Sequence, residues 1–544
     1  MAAEPSLMKQ LGRSFLRACK RRKRKMKIAD SSGVKLSGGA LLTRTLLLRR
    51  LLLRHVISAE EEYVGLLLPP SLAGAVANMA LTIDRRVPVN LNYTASAEIL
   101  NDCISQCGIK HVLTSRRFVE KLGSQFGVDL EKDLDVQLIF LEDVRDLPTW
   151  SDKLSCFLTA YLYPTGLLER SLKLHEVDPN DLSTVIFTSG STGQPKGVML
   201  TQANIAANVE AIETVVQLNE NDVIIGALPF FHSFGYTVTL WTAMTLDLQA
   251  VYHFSPLDGK QVGKLCKEYS GTLLLATPTF LRTYLRRCTP EEFASLEVVV
   301  AGAEKLPKEL CDAFEEKFNL RPVEGYGATE LAPLASVNVP PSRARKEPGE
   351  GMREGSVGRP VPHVSAKITD LDSGEELPTG KPGMLWISGP NVMKGYLNRE
   401  ELTADVIQDG WYKTGDVALL DEDGFIHITG RQSRFSKIGG EMVPHIQIEE
   451  TLTKIIGGSE EDGLQAAVTA IPDAKKGERL IVIHTAISKT PEELRKGLQE
   501  SGLPSLYVPS QDSFHEVEEL PLLGSGKLDL KGVQQVAKEQ FASS

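Results

Sequence analysis

Long uninterrupted apolar runs, paired cysteines and a Walker signature are all missing from this sequence, and each absence removes a class of protein. Two stretches, 64–83 and 223–246, go twenty or more residues without a charge. Pro69-Pro70 splits the first; Pro229, His232 and Gly235 interrupt the second. Proline removes a helix hydrogen bond, so neither makes a continuous membrane span and both read as core. The seven cysteines, at 19, 103, 107, 156, 266, 288 and 311, are odd in number and unpaired in spacing. That pattern excludes a disulfide scaffold and fits a reducing compartment. Cys103, Cys107 and His111 follow one another a helical turn apart. They are either three metal ligands on one face or a buried stripe, and the missing fourth ligand favours the stripe. No apolar segment of about 7–15 residues stands behind the N-terminal charges, so a secretory signal peptide is not expected. The Walker pattern fails because Gly193 is followed by Gln-Pro rather than Gly-Lys-Ser/Thr.

What is present is a chain of 544 residues, too long for one hydrophobic core, with ordinary hydrophobic (42%) and charged (24%) content for a globular protein. With 60 basic and 70 acidic residues the net charge is −10, which does not favour nucleic acid. Charge is uneven, however. Arg13, Arg17, Lys20 to Lys25 without a break, and Lys27 form a dense basic run beside Leu11, Phe15 and Leu16. Two readings stand: a membrane-surface helix meeting anionic lipid, or a solvated tail. Residues 1–27 are therefore set apart as a basic N-terminal tail. The Leu/Arg segment 41–54 reads as a core-packing helix with arginines reaching outward.

From 56 to 185, strand-like runs (63–68, 87–89, 110–113, 136–140) alternate with helical patterns, which argues for a parallel α/β sheet. Further strands are expected at 184–187, 197–200, 223–227, 272–276, 297–300 and 384–388, with a helix capped by Thr201 running to 216. Near Gly430 the character changes. Strands at 465–470 and 480–485 and a helix from Pro491 mark a smaller α+β domain, giving 28–430 and 431–544 as the two domains.

The stretch 188–197, Thr-Ser-Gly-Ser-Thr-Gly-Gln-Pro-Lys-Gly, organises the rest. Glycine lets backbone N–H groups turn toward an anion, hydroxyls add donors, and lysine supplies a point charge suited to phosphate. A solvated Gly/Ser loop is the alternative. It is followed in order by Glu-Gly-Tyr-Gly-Ala-Thr-Glu at 324–330, Trp-Tyr-Lys-Thr-Gly-Asp at 411–416, Gly430-Arg431, and Gly-Ser-Gly-Lys at 524–527. With these five motifs in register, the chain from about residue 28 onward resembles the adenylate-forming (ANL) superfamily of AMP-dependent synthetases and ligases. Within it, residues 228–235, 300–306 and 520–527 are most similar to the synthetase half of bifunctional acyl-[acyl-carrier-protein] synthetase/2-acylglycerophosphoethanolamine acyltransferases.

The resemblance implies a large α/β N-terminal domain with a β-barrel-like subdomain and a small mobile C-terminal α+β domain. It also implies a reaction: carboxylate and ATP give acyl-adenylate and pyrophosphate, then the acyl group passes to a thiol. Such a site must neutralise converging anions with Mg²⁺, lysine and backbone donors. By resemblance, Thr188, Ser189, Gly190, Ser191, Thr192, Gly193 and Lys196 hold the departing pyrophosphate. Thr329 bonds the α-phosphate and Glu330 ligates Mg²⁺. Tyr326 and Gly327 lie at the adenine, with Gly302, Ala303 and Glu304 along its edge through backbone groups. Asp416 and Arg431 take the ribose. Lys527 bridges the substrate carboxylate and the α-phosphate, and Gly439 and Gly440 line a pantetheine tunnel.

Residues 230–246 form one wall of an acyl pocket with His232 at its mouth, or are simply a buried helix. The apolar run suits a fatty acid better than an amino acid. Holo-acyl carrier protein is the favoured thiol and coenzyme A the second choice, so a fatty acid–thiol ligase is expected, with a long-chain acyl-CoA synthetase or a silent AMP-binding scaffold as alternatives. An Asn-His-x₄-Asp acyltransferase motif is not found before residue 60. A cytoplasmic protein touching the membrane peripherally through its basic N-terminus is the expected location. Ser433 stands where the family usually has Asp or Lys at the hinge, and Gln202 where many relatives carry histidine.

Overall fold

The computed structural model describes residues 10–126, 129–189, 194–344, 351–438, 441–457, 465–473, 477–522 and 528–541. Two compact units emerge. Met1–Lys367, Trp386–Lys413 and Asp421–His427 form the first; Ile368–Leu385, Thr414–Leu420 and Ile428–Ser544 form the second.

The largest sheet of the first unit has nine strands. Six run parallel in the order Met26–Asp30, Gln249–Tyr252, Val223–Gly226, Leu273–Ala276, Val298–Ala301 and Val323–Gly327. Antiparallel strands close both edges: Lys35–Ser37 on one side, Leu334–Val337 and Arg359–Pro360 on the other. The central strands are continuous apolar runs, as strands buried on both faces must be. Ile225, Leu274 and Val299, from three neighbouring strands, share a core with Val262, Leu281 and Phe314 from three covering helices.

A second sheet, all parallel, orders Val87–Asn90, Tyr63–Leu66, His111–Thr114 and Gln137–Phe140. Each lies within a residue or two of its expected place. Ser71 caps the helix Leu72–Ile83, so the first uncharged stretch is a strand, a proline turn and a core helix. Among the described residues no helix is long and apolar enough to cross a membrane. Cys103 and Cys107 sit in an apolar cluster, and burial pushes both thiols up to about 12. Gly108 ends their helix in the left-handed region, and His111 belongs to the next strand, where its Nδ1 lies 2.9 Å from Glu61 Oε2. The three residues therefore do not share a helix face.

The basic N-terminal segment differs most from expectation. Residues 11–27 are not a tail: Leu11–Arg21 is a helix, and Met26–Asp30 joins the nine-stranded sheet. Leu11, Phe15 and Leu16, the apolar edge offered to a membrane, are fully buried in the protein. The cations have partners distant in sequence. Arg13 and Arg17 both hold Glu169, Lys20 donates to the carbonyls of Thr159 and Tyr163, and Arg22 donates to those of Met26, Glu220 and Asp247. Lys23 and Arg24 are exposed.

In the second unit, strands run Glu441–Pro444, Phe435–Ile438, Gly477–His484 and Ala466–Asp473, with Phe514–Glu516 parallel to Gly477–His484. Helices His445–Ile456 and Pro491–Glu500 pack their leucines and isoleucines onto this sheet. Arg434 is buried against Glu449, whose Oε1 accepts from the Val468 N–H at 2.6 Å. Burial and the nearby Arg434 pull His445 down to about 3, so it is a neutral ring there, 2.7 Å from Ser436 Oγ.

Candidate active site

Strands Leu182–Ser189 and Pro195–Thr201 form an antiparallel hairpin, with Thr188 opposite Lys196 and Ser189 opposite Pro195. Gly190, Ser191, Thr192 and Gly193, between these strands, lie outside the described residues. After the hairpin, Thr201 accepts from the Asn204 N–H while the Asn204 side chain accepts from the Thr201 N–H, a reciprocal cap that starts the helix Gln202–Val216. Gly197 has no room for a side chain, since a Cβ would stand 2.9 Å from Val185 Cγ1 and 3.2 Å from Leu397 Cβ.

A third strand, Gly395–Tyr396, pairs antiparallel with Val198 and Met199 and so fixes Tyr396 beside the hairpin. Lys196 Nζ lies 4.6 Å from the centre of the Tyr396 ring, a cation–π contact. The Tyr396 hydroxyl donates to Glu330 Oε1 at 2.8 Å. Burial, then the charge of Glu330, pushes that hydroxyl far above its ordinary value, so it remains a donor at every physiological pH. A lysine, a tyrosine and a carboxylate from three separate parts of the sequence are thus joined in one chain of contacts. Tyr396 was not among the residues anticipated. Its role arises from pairing with a strand distant in sequence, which no local pattern signals.

Glu330 and Thr329 occupy a tight turn, Thr329–Leu331, after the strand Val323–Gly327. The turn is held from several directions. The Met393 N–H donates to the Glu330 carbonyl at 2.8 Å, and Asn391 Nδ2 donates to the carbonyls of Leu331 and Leu334 at 3.1 Å each. Asn208 Nδ2 adds a donor to the Leu334 carbonyl at 2.8 Å. Thr329 Oγ1 lies 3.2 Å from Ser233 Oγ, both buried, so Ser233 is a further site residue that its motif contained but did not single out.

His232, Ser233 and Phe234 form one side of a cleft whose other sides are Gly302, Ala303, Tyr326, Gly327 and Thr329. Two glycines keep it open. A Cβ on Gly327 would fall 2.0 Å from the Pro333 carbonyl oxygen, and one on Gly302 would meet the Phe234 ring at 3.2 Å. The Glu304 carboxylate accepts from the Thr279 hydroxyl at 2.8 Å and the Thr279 N–H at 3.3 Å, at the start of the helix Pro278–Arg287. The run 230–246 is not a regular α-helix. Phe234–Trp241 is a π-helix continued by Thr242–Thr245, and its residues from Gly235 onward are buried. Such wide turns are rare and concentrate at functional sites.

In the second unit, Asp416 is buried and Arg431 largely exposed, with Arg431 Nε 3.0 Å from Asp416 Oδ1. The Asp416 N–H donates to Thr414 Oγ1 at 3.0 Å, across a Gly415 with φ of 76°. Ser433 sits within the turn Gln432–Arg434. Lys527, Gly439 and Gly440 lie outside the described residues.

The donor set suits the groups the motifs call for. Glu330 presents carboxylate oxygen, the ligand a hard divalent cation such as Mg²⁺ takes. The glycine-lined cleft has room for a flat ring beside the Thr329 hydroxyl.

Comparison with known proteins agrees. Residues 15–397 match the family described as AMP-binding enzyme. A long-chain-fatty-acid–CoA ligase of Yersinia pestis is 28% identical over 86% of this chain and 83% of its own. A probable CoA ligase of Humulus lupulus is 33% identical over 68% of both chains. In structure, the chain is similar to o-succinylbenzoate coenzyme A synthetase from Bacillus subtilis in complex with ATP and magnesium ion, with a TM-score of 0.76, 22% identity, and coverage of 96% of this chain and 99% of that one. A family match over most of the sequence, on the same hairpin, turn and cleft just described, leads to one conclusion: the chain belongs to the AMP-binding enzyme family.

Proposed function

We propose that this protein is an ATP-dependent acid–thiol ligase that activates a fatty carboxylate as its acyl-adenylate, releases pyrophosphate, and passes the acyl group to a phosphopantetheine thiol. The observation that carries the proposal is the Lys196–Tyr396–Glu330 chain of contacts beneath the hairpin. It sets a cation for polyphosphate beside a carboxylate for Mg²⁺, and the relatives include fatty-acid–CoA ligases. Mg²⁺, held by Glu330, supplies neutralisation of phosphate charge. This chain's residues do the rest. Lys196 contacts the departing pyrophosphate, Thr329 with Ser233 behind it orients the α-phosphate, and Gly302 and Gly327 admit the adenine. Asp416 and Arg431 take the ribose, and Lys527 bridges carboxylate and α-phosphate.

Coenzyme A is the acceptor that the relatives' names support. Acyl carrier protein, which presents the same thiol arm, remains the second reading on the strength of the motifs at 228–235, 300–306 and 520–527. ATP–pyrophosphate exchange tests the activity. Exchange dependent on fatty acid is expected; its absence would mark a silent AMP-binding scaffold, and ADP formation a kinase. Acyl transfer to coenzyme A and to holo-acyl carrier protein, measured side by side, decides the acceptor.

A further inference from the structure

The described residues include fifteen exposed large hydrophobic side chains, and eight of them fall between Leu147 and Leu167. Most lie on one helix, Trp150–Leu162. Its inward side is set by Asp152, Cys156 and Ala160, which are buried. Trp150, Leu154, Phe157, Leu158 and Leu162 recur at spacings of four, three, one and four, so they form an apolar stripe on the opposite side. Trp150 and Leu162 are 75% and 74% exposed. The helix is therefore amphipathic in the reverse of the usual sense: it already has a core-facing side, and its solvent side is apolar as well. Monomeric proteins seldom leave so continuous an apolar face uncovered.

Few charged residues lie along this face. Between 147 and 168 the only charged residues are Asp152 and Lys153. Asp152 is not presented outward. It closes the N-terminal cap of the helix with Thr149 and is held by Arg54 and Arg50 from the helix Gly38–His55. Arg54 and Thr149 hold its carboxyl well below the usual range. Lys153 is exposed on the stripe's edge, and Lys20 reaches the other end of the helix, on the carbonyls of Thr159 and Tyr163. A groove beside the helix, about 440 Å³, is lined by Arg49, Arg50 and Arg54 together with Leu46, Leu53 and Leu168. Arg50 and Arg54 are paired with Asp152 and Arg49 with Asp84, so the exposed cation on the stripe's edge is Lys153.

We propose that the helix Trp150–Leu162 is a docking face for the surface of an anionic lipid bilayer. The apolar stripe enters the boundary between headgroups and acyl chains. Trp150 and Tyr163, at the two ends, take the interfacial positions that amphipathic aromatic rings favour, and Lys153 meets lipid phosphate. The face is separate from the N-terminal helix, whose own apolar edge is internal. It is also independent of the proposed reaction, since no residue of the cleft takes part.

Co-sedimentation of the full chain with vesicles tests this, comparing phosphatidylcholine alone with phosphatidylcholine mixed with phosphatidylglycerol. Binding to the mixed vesicles is expected, falling about tenfold or more in the triple variant Trp150→Ser/Leu158→Ser/Leu162→Ser. Lys153→Glu is expected to weaken binding to the mixed vesicles and leave binding to neutral ones unaltered. The three replaced side chains are exposed, so pyrophosphate exchange with a short, water-soluble carboxylic acid should match the parent and report an intact fold. Undiminished vesicle binding by the triple variant would overturn the proposal, as would equal binding to neutral and anionic vesicles. Self-association that depends on concentration and disappears in the triple variant, without vesicle binding, would assign the face to a second copy of the chain instead.

Discussion

Lys27 and Lys196 both lie on strands of the same compact unit, and the fold uses them in opposite ways. Lys27 is fully buried, donates to the carbonyls of Leu246 and Leu248, and is pulled by burial to a pKa of about 7. Lys196 is half-buried and rests against an aromatic face. A carbonyl takes up an N–H donor; a ring face attracts the cation without accepting one, leaving the ammonium donors for phosphate oxygens. Basic residues clustered in sequence thus became structural at the N-terminus, whereas the lysine of the Gly/Ser hairpin keeps its ammonium against a ring face, the arrangement on which the proposed phosphate contact rests.

A third lysine gives that contrast its hardest test. If Lys527 bridges carboxylate and α-phosphate, Lys527→Ala should lower fatty-acid-dependent pyrophosphate exchange by ~10²–10³, the scale of a lost oxyanion donor. Thiol transfer from supplied acyl-adenylate should survive. Equal loss of both half-reactions would remove Lys527 from the chemical class. The next effect is smaller. Tyr396→Phe keeps the ring beneath Lys196 but deletes the bond to Glu330, a charge-assisted contact worth about 1.5–3 kcal/mol. The Mg²⁺ concentration for half-maximal exchange should change about tenfold while KM for the fatty acid stays put. An unmoved Mg²⁺ dependence would mean that Tyr396 only holds the hairpin.

Lys27 is read through pH. Its pKa is about 7 when folded, against about 10.4 unfolded. Between these values the unfolded chain holds more protons, so stability rises with pH across that window; below it both states are protonated and the cost of burial is constant. Lys27→Met abolishes the titration. Urea unfolding from about pH 7 to 10 should therefore show the parent gaining on the variant as pH rises. Parallel curves would show that Lys27 is not neutral in the fold at high pH.

The comparison also shows what sequence can convey. The parallel strands were readable because runs such as Val298–Ala301 are apolar throughout and bounded by polar turns. Gly302 and Gly327 were named only through the family resemblance, and the Cβ clashes supply the reason for glycine there. The partners of the basic run were not readable: Glu169 lies 152 residues from Arg17, Glu220 195 from Lys25 and Asp247 226 from Arg21, so composition alone resembled a tail. Tyr396 and Ser233 were missed for the same reason, since each acquires its role through a long-range contact. Glu304 was legible as part of a cleft edge, but not that its side chain turns to Thr279.

The smallest expected effect belongs to the exposed part of the basic run. Arg22 is buried and donates to three carbonyls, so it acts as part of the core; Arg24, two residues on, is exposed. An exposed side chain away from a cap, a cavity or a buried network changes stability by no more than about 0.5 kcal/mol. Arg24→Ala should therefore leave the urea midpoint and slope of the parent unaltered. A loss above about 1 kcal/mol would mean that the N-terminal cations stabilise the fold collectively, through the field of the whole run rather than through named pairs. The difference between Lys27 and Lys196 would then be one of degree, set by the surrounding charge, and not of the partners each lysine meets.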